Sequence, residues 1–287
     1  MKQRISGIQT IYREGVRRLA EAGIEEAKID AWYLLEYVTG IDRASYYGDP
    51  DKEIRREKEE QYFSYISKRC ERIPLQHLTG EQEFMGLPFF VNEYVLIPRQ
   101  DTEVLVEEAL RKMSPGMSIL DMCTGSGCIL LSLLSFNKKY EARGTGADIS
   151  PQALEVAEKN AGRLCIEASF IQSNLFESLD LGEKFDLIVS NPPYIPTAVI
   201  EELQTEVRLY DPYIALDGRE DGLHFYREII KNSVSYIKKG GWLMFEIGYD
   251  QAESVSGLMK MCGYENISVK KDLASLDRVV MGMYNGQ

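Results

Sequence analysis

The chain has 287 residues, 44% of them apolar, which suffices for one large or two smaller domains with a sizeable core. No apolar run approaches the ~20 residues of a membrane span, and the polar start, 1–10, lacks a signal-peptide hydrophobic region; a cytoplasmic protein without a membrane partner is expected. The net charge of −12 is uneven: residues 1–85 carry 14 Lys and Arg against 16 Asp and Glu, and the rest 19 against 29. An acidic second half argues against a long nucleic-acid substrate, because phosphate binding wants a basic face, and favours a protein or small-molecule substrate.

Residues 1–80 read as helices. Ile8, Ile11, Tyr12, Val16 and Leu19 recur at helical spacing. Asp30 is placed to cap a second helix carrying Trp32, Leu34, Leu35 and Val38, which Thr39-Gly40 ends. A third, charged helix over 53–72 has Tyr62, Phe63, Tyr65 and Ile66 as its apolar positions. Packing within a small bundle accounts for these stripes. The period then changes to that of strands. The runs 83–91 and 94–97 flank Asn92-Glu93 as a predicted hairpin, and Asp101 is the predicted cap of a helix over 102–113. The hairpin marks the domain boundary, giving 1–80 as a helical bundle, 81–100 as a linker and 101–287 as the second domain.

From Ser118 onward short apolar runs alternate with helical patterns, the signature of a parallel sheet with crossover helices. Strands are predicted at 118–122, 143–147, 169–172, 186–190, 241–246, 266–270 and 278–283, and helices at 128–136, 151–161, 222–237 and 251–261. Only 271–277 separates the last two strands, too short for a parallel crossover, so the final strand should be antiparallel.

Asn191-Pro192-Pro193-Tyr194 follows an apolar strand, and two prolines force the chain to leave the sheet at Asn191. That puts an amide at the carboxyl end of a strand, where open α/β sheets bind ligands, although asparagine is also an ordinary turn residue. Asp121-Met122-Cys123-Thr124-Gly125-Ser126-Gly127 follows the first core strand and opens a helix. Its two glycines suit a tight turn, or close backbone approach to a ligand. The third glycine of a dinucleotide fingerprint is missing, since Leu130 stands there. Asp148, 21 residues after Gly127, can accept the ribose hydroxyls of a nucleoside, or serve as a cap beside the better candidate Ser150. Asn174 can meet an adenine edge or be a plain loop amide. Without a phosphate-binding Gly-x-x-x-x-Gly-Lys, the nucleoside points to S-adenosyl-L-methionine rather than ATP.

The five cysteines, Cys70, Cys123, Cys128, Cys165 and Cys262, include no Cys-x-x-Cys pair, and His77 and His224 are the only histidines. Reduced thiols are expected, with no metal and no His-based triad.

Asn191-Pro192-Pro193-Tyr194 beside Asp121 and Gly125-x-Gly127 resembles the amino-methyltransferases, which implies that the tetrapeptide handles a planar nitrogen: an adenine amine, a guanine amine or a carboxamide. On that resemblance Asn191 Oδ1 and the Pro192 carbonyl accept the nitrogen's two N–H bonds, orient it and build negative potential where positive charge develops, with Tyr194 on its flat face, and no His base is needed. Further runs narrow the resemblance to the release-factor glutamine methyltransferases, the HemK/PrmC family: Arg72-Ile73-Pro74-Leu75-Gln76-His77-Leu78-Thr79-Gly80, Phe84-x-Gly86, Val95-Leu96-Ile97-Pro98-Arg99-Gln100-Asp101-Thr102-Glu103, Asp211-Pro212-x-x-Ala215-Leu216-Asp217-Gly218-x-x-Asp221-Gly222-Leu223, and Glu246-Ile247-Gly248-x-x-Gln251. The resemblance implies an α/β fold, a seven-stranded Rossmann-like methyltransferase sheet with a small all-helical N-terminal domain that helps hold the release factor. It implies methylation at N5 of the glutamine in that factor's Gly-Gly-Gln motif. The implied cofactor contacts are Asp121, Cys123, Thr124, Gly125, Ser126 and Gly127 in the loop, with Asp148, Ile149, Asn174, Leu175 and Asn191. The implied catalytic and substrate contacts are Asn191, Pro192, Pro193 and Tyr194. This chain departs from the family's usual residues at Cys123 (Gly), Gln100 (Pro), Asp211 (Glu) and Asn174 (often Asp), and the resemblance assigns no role to Arg99 or Glu103. Two other readings share parts of the pattern: an N-methyltransferase acting on an adenine or guanine amine in DNA or RNA, and a non-enzymatic nucleoside-sensing adaptor. A monomer is expected, since nothing in the sequence demands more.

Overall fold

The structure is a computed structural model that describes residues 7–138 and 141–286. Residues 1–6, part of the polar start discussed above, lie outside the described residues. The chain divides into two compact units after Gly80.

The first unit contains α1 (Ile8–Glu21), α2 (Ala27–Thr39), α3 (Arg43–Gly48), α4 (Arg56–Cys70) and α5 (Leu75–Thr79). The predicted apolar stripes pack together: Ile8, Ile11, Leu19, Leu34, Leu35, Tyr62 and Ile66 are fully buried in one cluster, with Tyr12, Val16, Phe63 and Tyr65 against it. Gly40 closes α2 in the left-handed conformation, where a side chain costs most. Asp30 does not cap α2. The helix begins at Ala27, so Asp30 falls one turn inside it and is buried, where its carboxylate accepts from Arg69 Nε of α4 at 2.7 Å. The interior charge of Arg69 outweighs a capping role, because a buried carboxylate needs a cation more than a helix end needs an acceptor.

The second unit starts with β1 (Glu81–Phe84) and β2 (Leu87–Phe90), which pair antiparallel. The turn is Met85-Gly86 and not Asn92-Glu93. Both turn residues have positive φ, 52° and 70°, the geometry whose twist matches the strands it joins. The run 94–97 forms no strand. Phe84 and Phe89 pack into the core of this unit, so the segment expected to be a linker is part of its packing. Glu103 accepts from the Met85 N–H at 2.6 Å and ties the hairpin turn to α6 (Glu103–Leu110). Asp101 does not cap α6; it lies in a 3₁₀ turn, Gln100–Thr102, and faces Arg278 at 3.3 Å.

The remaining elements are β3 (Ser118–Met122), α7 (Cys128–Phe136), β4 (Arg143–Asp148), α8 (Pro151–Leu164), β5 (Ser169–Gln172), β6 (Phe185–Ser190), α9 (Thr205–Tyr210), α10 (Tyr213–Leu216), α11 (His224–Ser233), β7 (Ile237–Glu246), α12 (Ala252–Met261), β8 (Tyr264–Lys271) and β9 (Asp277–Tyr284). All seven predicted core strands are present, in the order β5-β4-β3-β6-β7-β9-β8. Only β9 runs antiparallel, as its short connection from β8 requires. Two apolar clusters cover the two faces. Leu105, Leu130 and Leu133 of α6 and α7 pack on one; Tyr226, Ile229 and Val255 of α11 and α12 pack on the other. The short helices α9 and α10 and a 3₁₀ turn at Thr197–Glu202 carry too few residues for a readable period.

The chain leaves β3 toward β4 on one side and reaches β6 on the other. Their carboxyl ends therefore open a crevice, the place where such sheets bind ligands.

The Asp30–Arg69 pair yields a stability prediction. Asp30→Ala should cost about 3–5 kcal/mol in urea unfolding of the helical unit, because it strands a buried guanidinium's charge. The double variant Asp30→Leu/Arg69→Met should recover most of that loss.

Candidate functional site

Four strand ends and their loops enclose a cavity of about 310 Å³ in the second unit. That is in the range of small-molecule sites. Its walls include Thr124, Gly125 and Ser126 after β3, Asp148 and Ile149 after β4, and Asn174 and Leu175 after β5, with Cys123 beside them. Asn191 and Pro193 after β6 close the far side. Of the predicted residues, Asp121, Gly127, Pro192 and Tyr194 do not line it.

Asp148 holds the wall together. Its Oδ2 accepts from the Gly125 N–H and its Oδ1 from the Ser150 N–H, both at 2.9 Å. The cap of α8 is Ser150, whose Oγ accepts from the Ala153 N–H at 3.1 Å. Each Asp148 oxygen retains a lone pair for a hydroxyl donor. Burial pushes the Asp148 carboxyl up, against the backbone N–H bonds that favour its charged form. Asn174 is exposed and its Nδ2 donates to Glu177 Oε1 at 2.9 Å, which leaves its amide oxygen for a ligand. Ile149 stays 46% exposed on the rim, an apolar face at the edge of the cavity.

Asp121 sits beneath the loop, fully buried, with Oδ2 accepting from the Thr124 hydroxyl at 2.6 Å and the Leu130 N–H at 3.3 Å. Its Oδ1 has no hydrogen-bond partner. Burial drives its carboxyl up to about 7. The Cys123 thiol is pushed well up by burial and by the Asp148 and Asp121 charges, so it stays protonated and is no nucleophile. Cys123 and Leu175 adopt left-handed backbone, with φ of 62° and 52°, at the two loops that face each other across the cavity.

At the end of β6 the backbone of the tetrapeptide is clamped. Ile195 N–H donates to Leu216 O and Gly218 N–H to Ile195 O, at 3.0 and 2.8 Å. Gln251 Nε2 donates to Tyr194 O at 2.9 Å. A Cβ on Gly218 would meet the Tyr194 backbone at 2.7 Å, and one on Gly222 would meet Tyr194 O at 2.4 Å. These contacts explain why glycines stand where the chain passes behind the tetrapeptide. Asn191 lines the cavity, and its Nδ2 donates to Thr102 Oγ1 at 3.4 Å, which leaves its Oδ1 available as an acceptor. Pro192 is buried behind it.

Tyr194 departs from expectation. Its ring packs against the apolar core cluster on the α11 and α12 face of the sheet, and its hydroxyl donates to Glu246 Oε1 at 3.1 Å. A buried phenol needs an acceptor, and the neighbouring strand end supplies one. Tyr194 thus has its hydroxyl on Glu246 and does not line the cavity.

Several wall residues were not among the site residues that the sequence singled out. Tyr94, Val95 and Leu96 enter from the segment expected to be a strand, and Pro212, Ile214 and Ala215 from α10 and the turn before it. Arg99 and Arg219 also line the cavity, and both are ion-paired, Arg99 with Asp211 at 2.6 Å and Arg219 with Asp217 at 3.1 Å. Only the resemblance pointed to Arg99, Asp211 and Asp217.

A seven-stranded sheet of this order, with a glycine loop and a carboxylate at successive strand ends, defines the class of S-adenosylmethionine-dependent methyltransferases. Solved structures agree on the fold: a methyltransferase from Pyrococcus furiosus (TM-score 0.54, 14% identity, 78% of this chain and 100% of that one) and the Thermus thermophilus 16S rRNA N2 G1207 methyltransferase in complex with AdoMet and guanosine (TM-score 0.51, 14% identity, 71% and 50%). Sequence families described as PrmC N-terminal domain and methyltransferase small domain match residues 10–80 and 100–206. Release factor glutamine methyltransferases of Geobacter sulfurreducens (44% identity, 92% of each chain), Caulobacter vibrioides (40%, 93% of each) and Clostridium acetobutylicum (41%, 93% of this chain and 95% of that one) align with nearly its whole length. The chain belongs to the release factor glutamine methyltransferase family.

Two predictions follow from the clamp and the buried acid. Gly222→Ala, at φ +72°, should cost about 1–3 kcal/mol and displace the tetrapeptide; a lowered melting temperature with lost transfer would show it. Asp121 keeps its proton longer folded than unfolded, so its contribution to stability is full below about pH 4 and is lost as pH rises through about 7. Asp121→Asn should flatten this decline in a series of melting curves from about pH 5 to 8.

Proposed function

We propose that this chain transfers a methyl group from S-adenosyl-L-methionine to the side-chain amide nitrogen, N5, of the Gly-Gly-Gln glutamine in peptide chain release factors. The observation that carries this reading is the Asn191 amide, held by Thr102 in the wall of a cavity that Asp148 and the Gly125 loop also line. The family's curated relatives are named for the same reaction class.

The residues present fit the cofactor. Asp148 retains acceptors for ribose hydroxyls, Ile149 and Leu175 offer apolar faces for a flat base, and the carboxylates around the cavity favour a cation such as a sulfonium. The bound cofactor supplies an electrophilic methyl on a positive sulfur. The protein's part is to hold the amide nitrogen on that methyl's line. Asn191 Oδ1 accepts an amide N–H bond, which orients the nitrogen and places negative potential where positive charge develops, while Pro192, buried behind it, fixes where that side chain stands. The surplus proton on nitrogen then passes to water, so no strong base is required.

A DNA or RNA substrate fits less well. Its phosphates need open cations at the rim, and the two arginines there are already paired with Asp211 and Asp217, while Arg208 pairs with Glu201 at 3.1 Å. The five free thiols suit a reducing compartment, and we read the protein as a cytoplasmic monomer. No helix among the described residues is long and apolar enough to cross a membrane. The helical unit is read as helping to hold the release factor.

The test is to incubate the chain with a purified release factor and methyl-labelled cofactor, then sequence the labelled peptide. Label is expected on the Gly-Gly-Gln glutamine, and label elsewhere overturns the substrate assignment. Asn191→Ala should lower transfer by about 100-fold or more with cofactor affinity nearly kept. Asp148→Ala should chiefly weaken cofactor binding in isothermal titration, and the reverse pattern would contradict this division of roles.

A further inference from the structure

Left-handed backbone is costly for a residue with a side chain, and where it persists beside a ligand cavity it marks a constraint. Cys123 and Leu175 share that conformation with another wall residue, Arg219, at φ 70°. Arg219 stands between Gly218 and Asp221, at a position that the motif run leaves unspecified. Glycine would adopt this backbone at lower cost, so the case for arginine rests on its side chain.

That side chain is anchored. Asp217, itself buried, accepts on Oδ1 from the Thr197 hydroxyl at 2.6 Å and the Arg219 N–H at 3.0 Å, and on Oδ2 from Arg219 Nη1 at 3.1 Å. The Thr197 N–H donates to Arg219 O at 3.0 Å, and Gly218 packs on the Tyr194 backbone. Arg219 is thereby fastened to the turn that follows the tetrapeptide, on the β6 side of the cavity. Asp148, Asn174 and Leu175 follow β4 and β5, which lie beyond β3 from there. Despite its anchor the Arg219 side chain is 61% exposed. A guanidinium carries several N–H groups, and the pairing with Asp217 leaves donors for a ligand.

We propose that Arg219 is a specificity residue for the protein substrate: its guanidinium donates hydrogen bonds to main-chain carbonyls of the loop that carries the target glutamine. A glutamine side chain is short, so when its amide reaches Asn191 the main chain bearing it must come up to the cavity mouth. A glycine-flanked loop brings carbonyls with no side chains to cover them, and these acceptors need donors once water is displaced. Asp217 offsets the guanidinium's charge, which suits a neutral carbonyl better than a phosphate. The same bond is made before and during methyl transfer, so it contributes to affinity and not to the chemical step.

The inference rests on the proposed glutamine methylation, and the experiment separates the two. Wild type, Arg219→Gly and Arg219→Ala are each saturated with S-adenosyl-L-homocysteine and titrated with a purified release factor by calorimetry. KM, kcat, cofactor Kd and melting temperature are then measured for the same proteins. Glycine suits φ 70° and removes only the side chain, whereas alanine removes the guanidinium and keeps a restricted backbone. Both variants should weaken release-factor binding about 10-fold and raise KM alike, with kcat and cofactor Kd within about twofold, as loss of a hydrogen bond from a charged donor implies. Arg219→Gly should melt above Arg219→Ala, the signature of a strained backbone at this position. A wild type that transfers no label to the factor sinks the function and the inference with it. Label transfer by the wild type, with wild-type release-factor affinity in both variants, sinks the inference alone. So does a loss of affinity confined to one variant, or a cofactor Kd that weakens in step with it.

Discussion

The site depends on how β6 ends. Two prolines after Asn191 strip the chain of hydrogen-bond donors where a parallel strand would otherwise continue, so the backbone must turn out of the sheet. A backbone without donors of its own is held only by what comes to it. Gln251 reaches the Tyr194 carbonyl, Ile195 donates to Leu216 and accepts from Gly218 across the next turn, and Gly222 passes so close that a Cβ there would meet the same carbonyl at 2.4 Å. The result is an amide on a rigid stalk, pointing into a crevice that the strand order itself opens.

Electrostatically the crevice is built from carboxylates at unlike depths. Asp148 reaches the cavity surface and is satisfied by backbone N–H groups. Asp121 lies under the loop with one oxygen unmet, and burial raises it toward neutrality. Glu246 lies behind the tetrapeptide with Arg278 near it. The arginines at the rim face aspartates rather than open solvent. A cationic cofactor and a neutral amide suit such a field, and a phosphate backbone does not.

Much was readable from sequence because it follows from local rules. The strands from Ser118 to Gln172 and the helix at Cys128–Phe136 lie where alternating apolar runs and the glycine loop place them. The short gap before the last strand sets its direction. The likeness of the motif runs to one family, confirmed by relatives over nearly the whole chain, carried the function further than periodicity does. The errors share a cause. Asp30, Asp101 and Asn92 are residues whose local preference is for caps and turns, and each was outbid by a distant partner or a better turn: Arg69 for Asp30, Arg278 for Asp101, Met85-Gly86 for Asn92-Glu93.

By itself the sequence determined the order of elements, the exit of the chain at Asn191 and the placing of a glycine loop and an acid at successive strand ends. These are consequences of period, of proline's missing donor and of glycine's freedom, all of which act over a few residues. Only the tertiary structure decided that Tyr194 faces Glu246 instead of the cavity, that Thr102 meets Asn191 from 89 positions away, and that the rim arginines are paired. Such contacts join residues far apart in the chain, and which of several possible polar partners a side chain takes is fixed by packing, not by its neighbours in sequence.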